Sequence, residues 1–108
     1  GVLFATYATL RSDDRGETWR SIVGNLPERD TVLSFAEDHI NPKLLFCGTE
    51  RGCYFTLDSG ETWTKVSGLP VVPVRDLEIQ KRENDLVMAT FGRGFYILDD
   101  FTRPRRHG

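Results

Sequence analysis

Apolar residues along this chain come in short bursts broken by Gly, Pro, Asn or Asp, and nowhere do they hold the spacing that would line one side of a helix. The bursts are rich in Val, Leu, Phe, Tyr and Thr, which suits extended backbone, and the breaks are turn chemistry. Strands are predicted at 2–7, 9–12, 18–23, 32–37, 44–49, 52–57, 62–66, 74–80, 86–90 and 94–98. Many of these segments are apolar at consecutive positions rather than at alternate ones. Both faces of their sheets should therefore be covered by protein.

The pattern also repeats. Residues 44–55, Leu-Leu-Phe-Cys-Gly-Thr-Glu-Arg-Gly-Cys-Tyr-Phe, return 42 positions later at 86–97 with Arg-Gly and Tyr in register. Ser12, Asp14, Gly16, Glu17, Thr18 and Trp19 return 44 positions later as Thr56, Asp58, Gly60, Glu61, Thr62 and Trp63. Each copy is followed by a Leu-Pro, at Leu26-Pro27 and Leu69-Pro70. A period just above 40 residues with four short strands per period is that of a β-propeller blade. The expected fold is all-β, consecutive four-stranded antiparallel blades of a β-propeller. About two and a half blades fit, a partial one at 1–27, a complete one at 28–70 and a partial one at 71–108. So few blades cannot close a ring, so open edges and apolar faces are expected at both ends. They call for the remaining propeller blades of a longer parent chain, or for sister protomers. The missing Met at position 1 agrees with an excerpt or a processed chain.

The repeated turn carries legible chemistry. Asp14 and Asp58 can accept backbone N–H groups a few residues on, Gly16 and Gly60 permit positive φ, and Ser12, Thr18, Thr56 and Thr62 can tie the turn ends. Trp19 and Trp63 are then expected to plug the blade. Acidic and hydroxyl residues at alternate positions also suit a hard cation, but neither copy supplies the further carboxylates of a calcium loop. The turns are read as structural, with no metal and no cofactor. Both copies resemble the Asp-box, Ser-x-Asp-x-Gly-x-Thr-Trp, of bacterial neuraminidase-type (BNR) repeats, sortilin-like receptors and Asp-box xyloglucanases. Residues 69–100 are similar to the last propeller blades of large bacterial sortilin-type or glycosyl-hydrolase-like repeat proteins. The resemblance covers essentially the whole chain and implies that each box lies in the hairpin between the third and fourth strands of a blade. It also implies a secreted, periplasmic or cell-envelope setting. The third blade departs from the pattern, since 98–102 has neither Gly nor Trp, and its outer hairpin is expected to be lost or differently built.

Charge narrows the partners. With 14 cationic and 16 acidic side chains the formal net charge is −2, so no overall basic field exists to hold nucleic acid or an anionic membrane. No run approaches the roughly 20 apolar residues needed to cross a bilayer, and residues 1–10 lack the positive leader and cleavage site of a signal peptide. The two cysteines are too few for a disulfide scaffold or a closed zinc site. Cys47 and Cys53 flank a short turn centred on Glu50, which would set them opposite each other on one sheet face. Buried free thiols are favoured there over a strained cross-strand disulfide. Their repeat counterparts are Ala89 and Phe95.

Candidate sites are few. Glu37, Asp38 and His39 could form an acid/base or metal cluster, but the following Asn41-Pro42 and the counterpart at 80–84 favour a solvated turn. Arg51 and Arg93, beside turn glycines, and Asp76, next to Arg75, are the possible ligand-facing residues. Convergent arginines can hold a carboxylate, and glycosidases need two carboxyls across the scissile bond. Against catalysis, the sialidase Phe/Tyr-Arg-Ile-Pro signature is absent, the arginines recur at blade spacing, and no partner for Asp76 can be named. The basic stretch 103–107 is read as a solvated tail or linker. No catalytic residue is assigned. The expected role is a non-catalytic binding or scaffold module of a larger protein, with a carbohydrate or a protein or peptide as ligand. The rival is part of a xyloglucanase- or sialidase-like glycoside hydrolase whose catalytic residues lie on blades outside this chain.

Overall fold

A computed structural model describes residues 2–82, 85–92 and 94–98. Its strands are β1 (Leu3–Ala5), β2 (Leu10–Ser12), β3 (Arg20–Ser21), β4 (Val32–Glu37), β5 (Leu45–Thr49), β6 (Gly52–Thr56), β7 (Trp63–Lys65), β8 (Val74–Gln80), β9 (Asp85–Thr90) and β10 (Phe95–Leu98). They form three antiparallel sheets, β1-β2-β3, then β4-β5-β6-β7, then β8-β9-β10. Each predicted strand has its counterpart, and the sheets follow one another as consecutive propeller blades.

Two strands fall short of the pattern by three residues or more, for local reasons. The one predicted at 2–7 stops at Ala5, because Thr6–Ala8 coil into a 3-10 turn that closes on Thr9 in the left-handed region at φ 53°. The one predicted at 18–23 shrinks to Arg20–Ser21, since the Thr18 backbone N–H is already donated to the Asp14 carboxylate at 2.8 Å.

The sheets stack face to face with a separate apolar layer at each interface. Ile22, Leu26, Val32, Leu45, Cys47 and Trp63 fill the layer between the first and middle sheets, with Phe4 and Phe35 packed beside them. Those two rings stack at 4.7 Å between centroids. Ala36, Leu44, Phe46, Cys53, Val74, Leu86 and Met88 fill the second layer, between the middle and last sheets. The middle sheet thus faces protein on both sides, and every residue of β5 is buried. That is why its sequence reads as a continuous apolar run. Each fully buried Leu or Phe in these layers contributes about 1.5–3 kcal/mol.

The cysteines do not face each other. The β5–β6 turn has only Glu50 and Arg51 outside the ladder, with Thr49 paired to Gly52. Cys47 therefore pairs with Tyr54, and Cys53 with Gly48 on the adjacent rung. Adjacent rungs point to opposite faces, so one thiol enters each apolar layer, and both are free and buried. Burial holds both in the protonated form, pushing the Cys53 thiol up to about 12 and raising that of Cys47 as well. The repeat counterpart of Cys47 shifts too. Tyr96 pairs with Met88 as Tyr54 pairs with Cys47, so Met88 and not Ala89 occupies the equivalent place. The cause is loop length, with five residues between Ala89 and its partner Phe95 against four between Gly48 and Cys53.

Candidate functional site

The twin turns lie between β2 and β3 and between β6 and β7, and they are built alike. The Ser12 hydroxyl donates to Asp14 Oδ1 at 2.9 Å and accepts the Gly16 N–H at 2.8 Å. In the second turn the Thr56 hydroxyl donates to Asp58 Oδ1 at 2.6 Å and accepts the Gly60 N–H at 3.1 Å. Each aspartate then accepts the backbone N–H four residues on, from Thr18 or from Thr62, at 2.8 Å in both turns. Arg15 and Ser59 both stand at φ 62°, with Gly16 at 91° and Gly60 at 96°. The Thr18 hydroxyl, then its N–H and the Ser12 hydroxyl, hold the Asp14 carboxyl down at about 2. The Thr56 hydroxyl and Thr62 N–H lower that of Asp58. Both carboxylates are spent on donors of their own turn.

The tryptophans differ. Trp63 is 4% exposed, and its indole N–H donates across the sheet interface to the Ile22 carbonyl at 2.8 Å. The Asn25 amide completes the seat, accepting the Trp63 backbone N–H at 2.5 Å and donating to its carbonyl at 3.1 Å. Trp19 is 42% exposed and its indole N–H turns back to Gly16 of its own turn at 3.0 Å. It does not plug a blade here, since among the described residues no sheet precedes the first one to supply the equivalent of Ile22 and Asn25.

The turn read as solvated is exposed at 39–43, but Asp38 at its start is buried and Glu37 before it is half-buried. Glu37 accepts the Arg11 guanidinium at 2.9 Å across the first interface, and Arg11, only 6% exposed, also pairs with Asp13 at 3.0 Å. Asp38 is 4% exposed and caps the following turn by accepting the Asn41 N–H at 2.7 Å. Sequence reasoning missed Arg11. The signal was available, because Arg11 pairs with Phe4 as Phe55 pairs with Phe46, which puts a cation where the next repeat has an aromatic ring.

The possible ligand-facing residues are not brought together. Arg51 is exposed at the tip of the β5–β6 turn, its backbone N–H donated to the Thr49 hydroxyl at 3.2 Å. Asp76 stands on the open face of the last sheet, opposite Ala89. Arg93 lies outside the described residues. The Arg75 guanidinium lies over the Phe91 ring at 5.5 Å. Arg75, Asp76, Glu78, Val87 and Phe95 line an open groove of about 360 Å³. Asp76 and Glu78 are two positions apart on β8 and so share a face.

No family model matches the chain. It is 38% identical over 71 residues, 58% of this chain and 8% of the relative, to the xyloglucanase Xgh74A of Acetivibrio thermocellus. It is 34% identical over 71 residues, again 58% of this chain and 7% of the relative, to a xyloglucanase of a Paenibacillus species. The chain spans less than a tenth of the length of these relatives. The likeness is that of a glycosyl-hydrolase-like repeat.

Proposed function

We propose that this chain is a run of Asp-box blades from a larger secreted or cell-envelope protein that handles polysaccharide, and that it supplies architecture and binding surface rather than the reacting groups. What carries the reading is how the acids are used. Asp14 and Asp58 are consumed by their own turns, and Glu37 by Arg11. A catalytic carboxyl needs an environment that leaves it free to exchange a proton with substrate. The likeness to xyloglucanases favours a parent that hydrolyses β-glucan, with its catalytic carboxyls on other blades. Loops on a rigid propeller can carry a ligand site without a tuned acid or base.

The test is to express the full-length parent, screen xyloglucan, other β-glucans and aryl glycosides, and repeat with Asp76→Asn, Arg51→Ala and Arg93→Ala. Turnover, where the parent shows it, is expected to survive all three. Loss confined to Asp76→Asn in a folded protein would put a catalytic carboxylate inside this chain and refute the reading.

A further inference from the structure

Each sheet presents one face to the sheet that follows, and the registers define that face. The middle sheet presents Ala36, Phe46 and Phe55 in one row and Ser34, Gly48 and Cys53 in the next. The corresponding face of the last sheet has Glu78, Val87 and Ile97 in one row and Asp76, Ala89 and Phe95 in the next. Phe95 is 70% exposed and Ile97 is 59% exposed, so a second apolar face like the buried one stands open. The first strand makes the difference, with Asp76 and Glu78 standing where the middle sheet has Ser34 and Ala36.

Those two positions look toward the first strand of whatever comes next. The Ser34 hydroxyl donates to the carbonyl of Val74, the opening residue of β8, at 3.2 Å. An acid at a sheet interface already has a precedent in this molecule, and it is met by a cation, since Glu37 on β4 pairs with Arg11 of the preceding sheet at 2.9 Å. Among the described residues no cation pairs with Asp76 or Glu78.

Resting on the propeller reading, we propose that the open face of the last sheet is covered by a further β-sheet carrying a Lys or Arg opposite the Asp76 and Glu78 pair. Charge selects this occupant over a second copy of the same chain. The face that a second copy would bring, on its first sheet, consists of Leu3, Ala5, Leu10, Ser12 and Ser21. It has no cation. Its three strands match β5, β6 and β7, so a second copy would set neither a first strand nor a cation of that strand against the two carboxylates of β8.

The experiment uses the full-length chain. Carboxyl groups of the native protein are labelled with a carbodiimide and an amine, aromatic rings are footprinted with hydroxyl radicals, and both are read by mass spectrometry. Asp76 and Glu78 are expected to label several-fold more slowly than Glu50, which is exposed on a turn, and Phe95 is expected to be protected. Asp76→Lys with Glu78→Lys should lower the melting midpoint by more than about 3 °C, while Glu50→Lys leaves it unchanged. Free labelling of the two acids beside a protected Phe95 overturns the proposal and leaves the propeller reading standing. Free reaction at all three residues defeats both. Protection of the acids with an unchanged Lys-variant midpoint overturns the counter-cation, and a closed ring assembled from the 108-residue chain alone overturns the choice of occupant. If the Lys variant does not fold, the wild-type footprint decides.

Discussion

Gly60 offers a measurement of how closely the second turn seats on the sheet before it, because the chain contains its own controls. Gly16, Gly60 and Gly68 have nearly the same backbone, at φ +91°, +96° and +86°. An alanine at any of them is strained, at about 1–2 kcal/mol for a left-handed L-residue. Only their surroundings differ. A Cβ at Gly60 would lie 2.6 Å from the Cβ of Ile22 and 3.1 Å from its Cγ2, whereas at Gly16 the nearest atoms are 3.6 and 3.7 Å away. At Gly68 nothing lies within 4 Å. Ile22 is 2% exposed and belongs to the first apolar layer, so it cannot step aside without opening that layer. Overpacking of this kind adds about 1–3 kcal/mol. Gly16→Ala and Gly68→Ala are therefore expected to cost about 1–2 kcal/mol, and Gly60→Ala about 2–5 kcal/mol. Urea denaturation at low micromolar concentration, followed by tryptophan fluorescence, should place the Gly60→Ala midpoint about 0.3–3 M below the other two. Coincident midpoints for all three variants would refute the seating of the turn on Ile22. In the full-length parent, a preceding sheet should bring Gly16 a neighbour of its own, and its penalty should rise toward that of Gly60.

Four further outcomes follow from the same contacts. The Asp14 and Asp58 carboxyls are held below their ordinary range in the folded state, so their contribution is complete above about pH 4 and is lost as the pH falls through about 2, where Asp14 takes its proton. Asp14→Asn with Asp58→Asn should flatten the acid limb of the stability profile, with or without calcium, and an unchanged limb would contradict the turn chemistry. Cys47 and Cys53 should resist alkylation at pH 8 in the native state and take two labels once unfolded, whereas an unlabelled mass two daltons light would show a bridge. Arg11→Met should destabilise more than Arg11→Met with Glu37→Gln, because the single change leaves Glu37 without its counter-charge; equal losses would show the pair to be inert. In the isolated chain the face of Phe95 and Ile97 should stay open and bind an apolar dye, with Phe95→Ser lowering the signal, and an isolated chain that binds no dye would count against an open blade face.

What was legible in the sequence is what is decided locally. The turns at Asp14 and Asp58 could be read because their hydrogen bonds close within a few residues, and the strand at 32–37 because its turn residues and apolar positions agree. The cysteine faces could not be read, because one residue of loop length flips a strand by one rung, and 47–53 gave no sign whether the turn held two residues or three. The Arg11–Glu37 pair spans 26 residues, and the Asn25–Trp63 seat spans 38. Contacts of that separation exist only once the sheets are stacked. The exposure of Trp19 beside a buried Trp63 has the same origin, since identical turns differ only in what precedes them.

The repeat itself separates architecture from specificity. Where a position keeps its character from one sheet to the next, as Asp14 with Asp58 or Tyr54 with Tyr96 does, the fold alone accounts for it. Where the character changes, something other than the shared fold must explain the side chain. Arg11 replaces the aromatic ring of Phe55, and Glu37 on the neighbouring sheet meets it. Asn25 has no counterpart in the shorter segment 66–69, and its amide holds both backbone groups of Trp63. Both departures are resolved at the first interface, and together they fix which face of the first sheet meets which face of the middle one. Asp76 and Glu78 are a departure of the same kind at the next interface, but their partner is not among the described residues. Charged substitutions within an otherwise repeating apolar face can order the blades of a propeller, because each misplaced neighbour would leave a buried charge unmet. On that logic the proposed counter-cation would set Asp76 and Glu78 in the same system of blade order as Arg11.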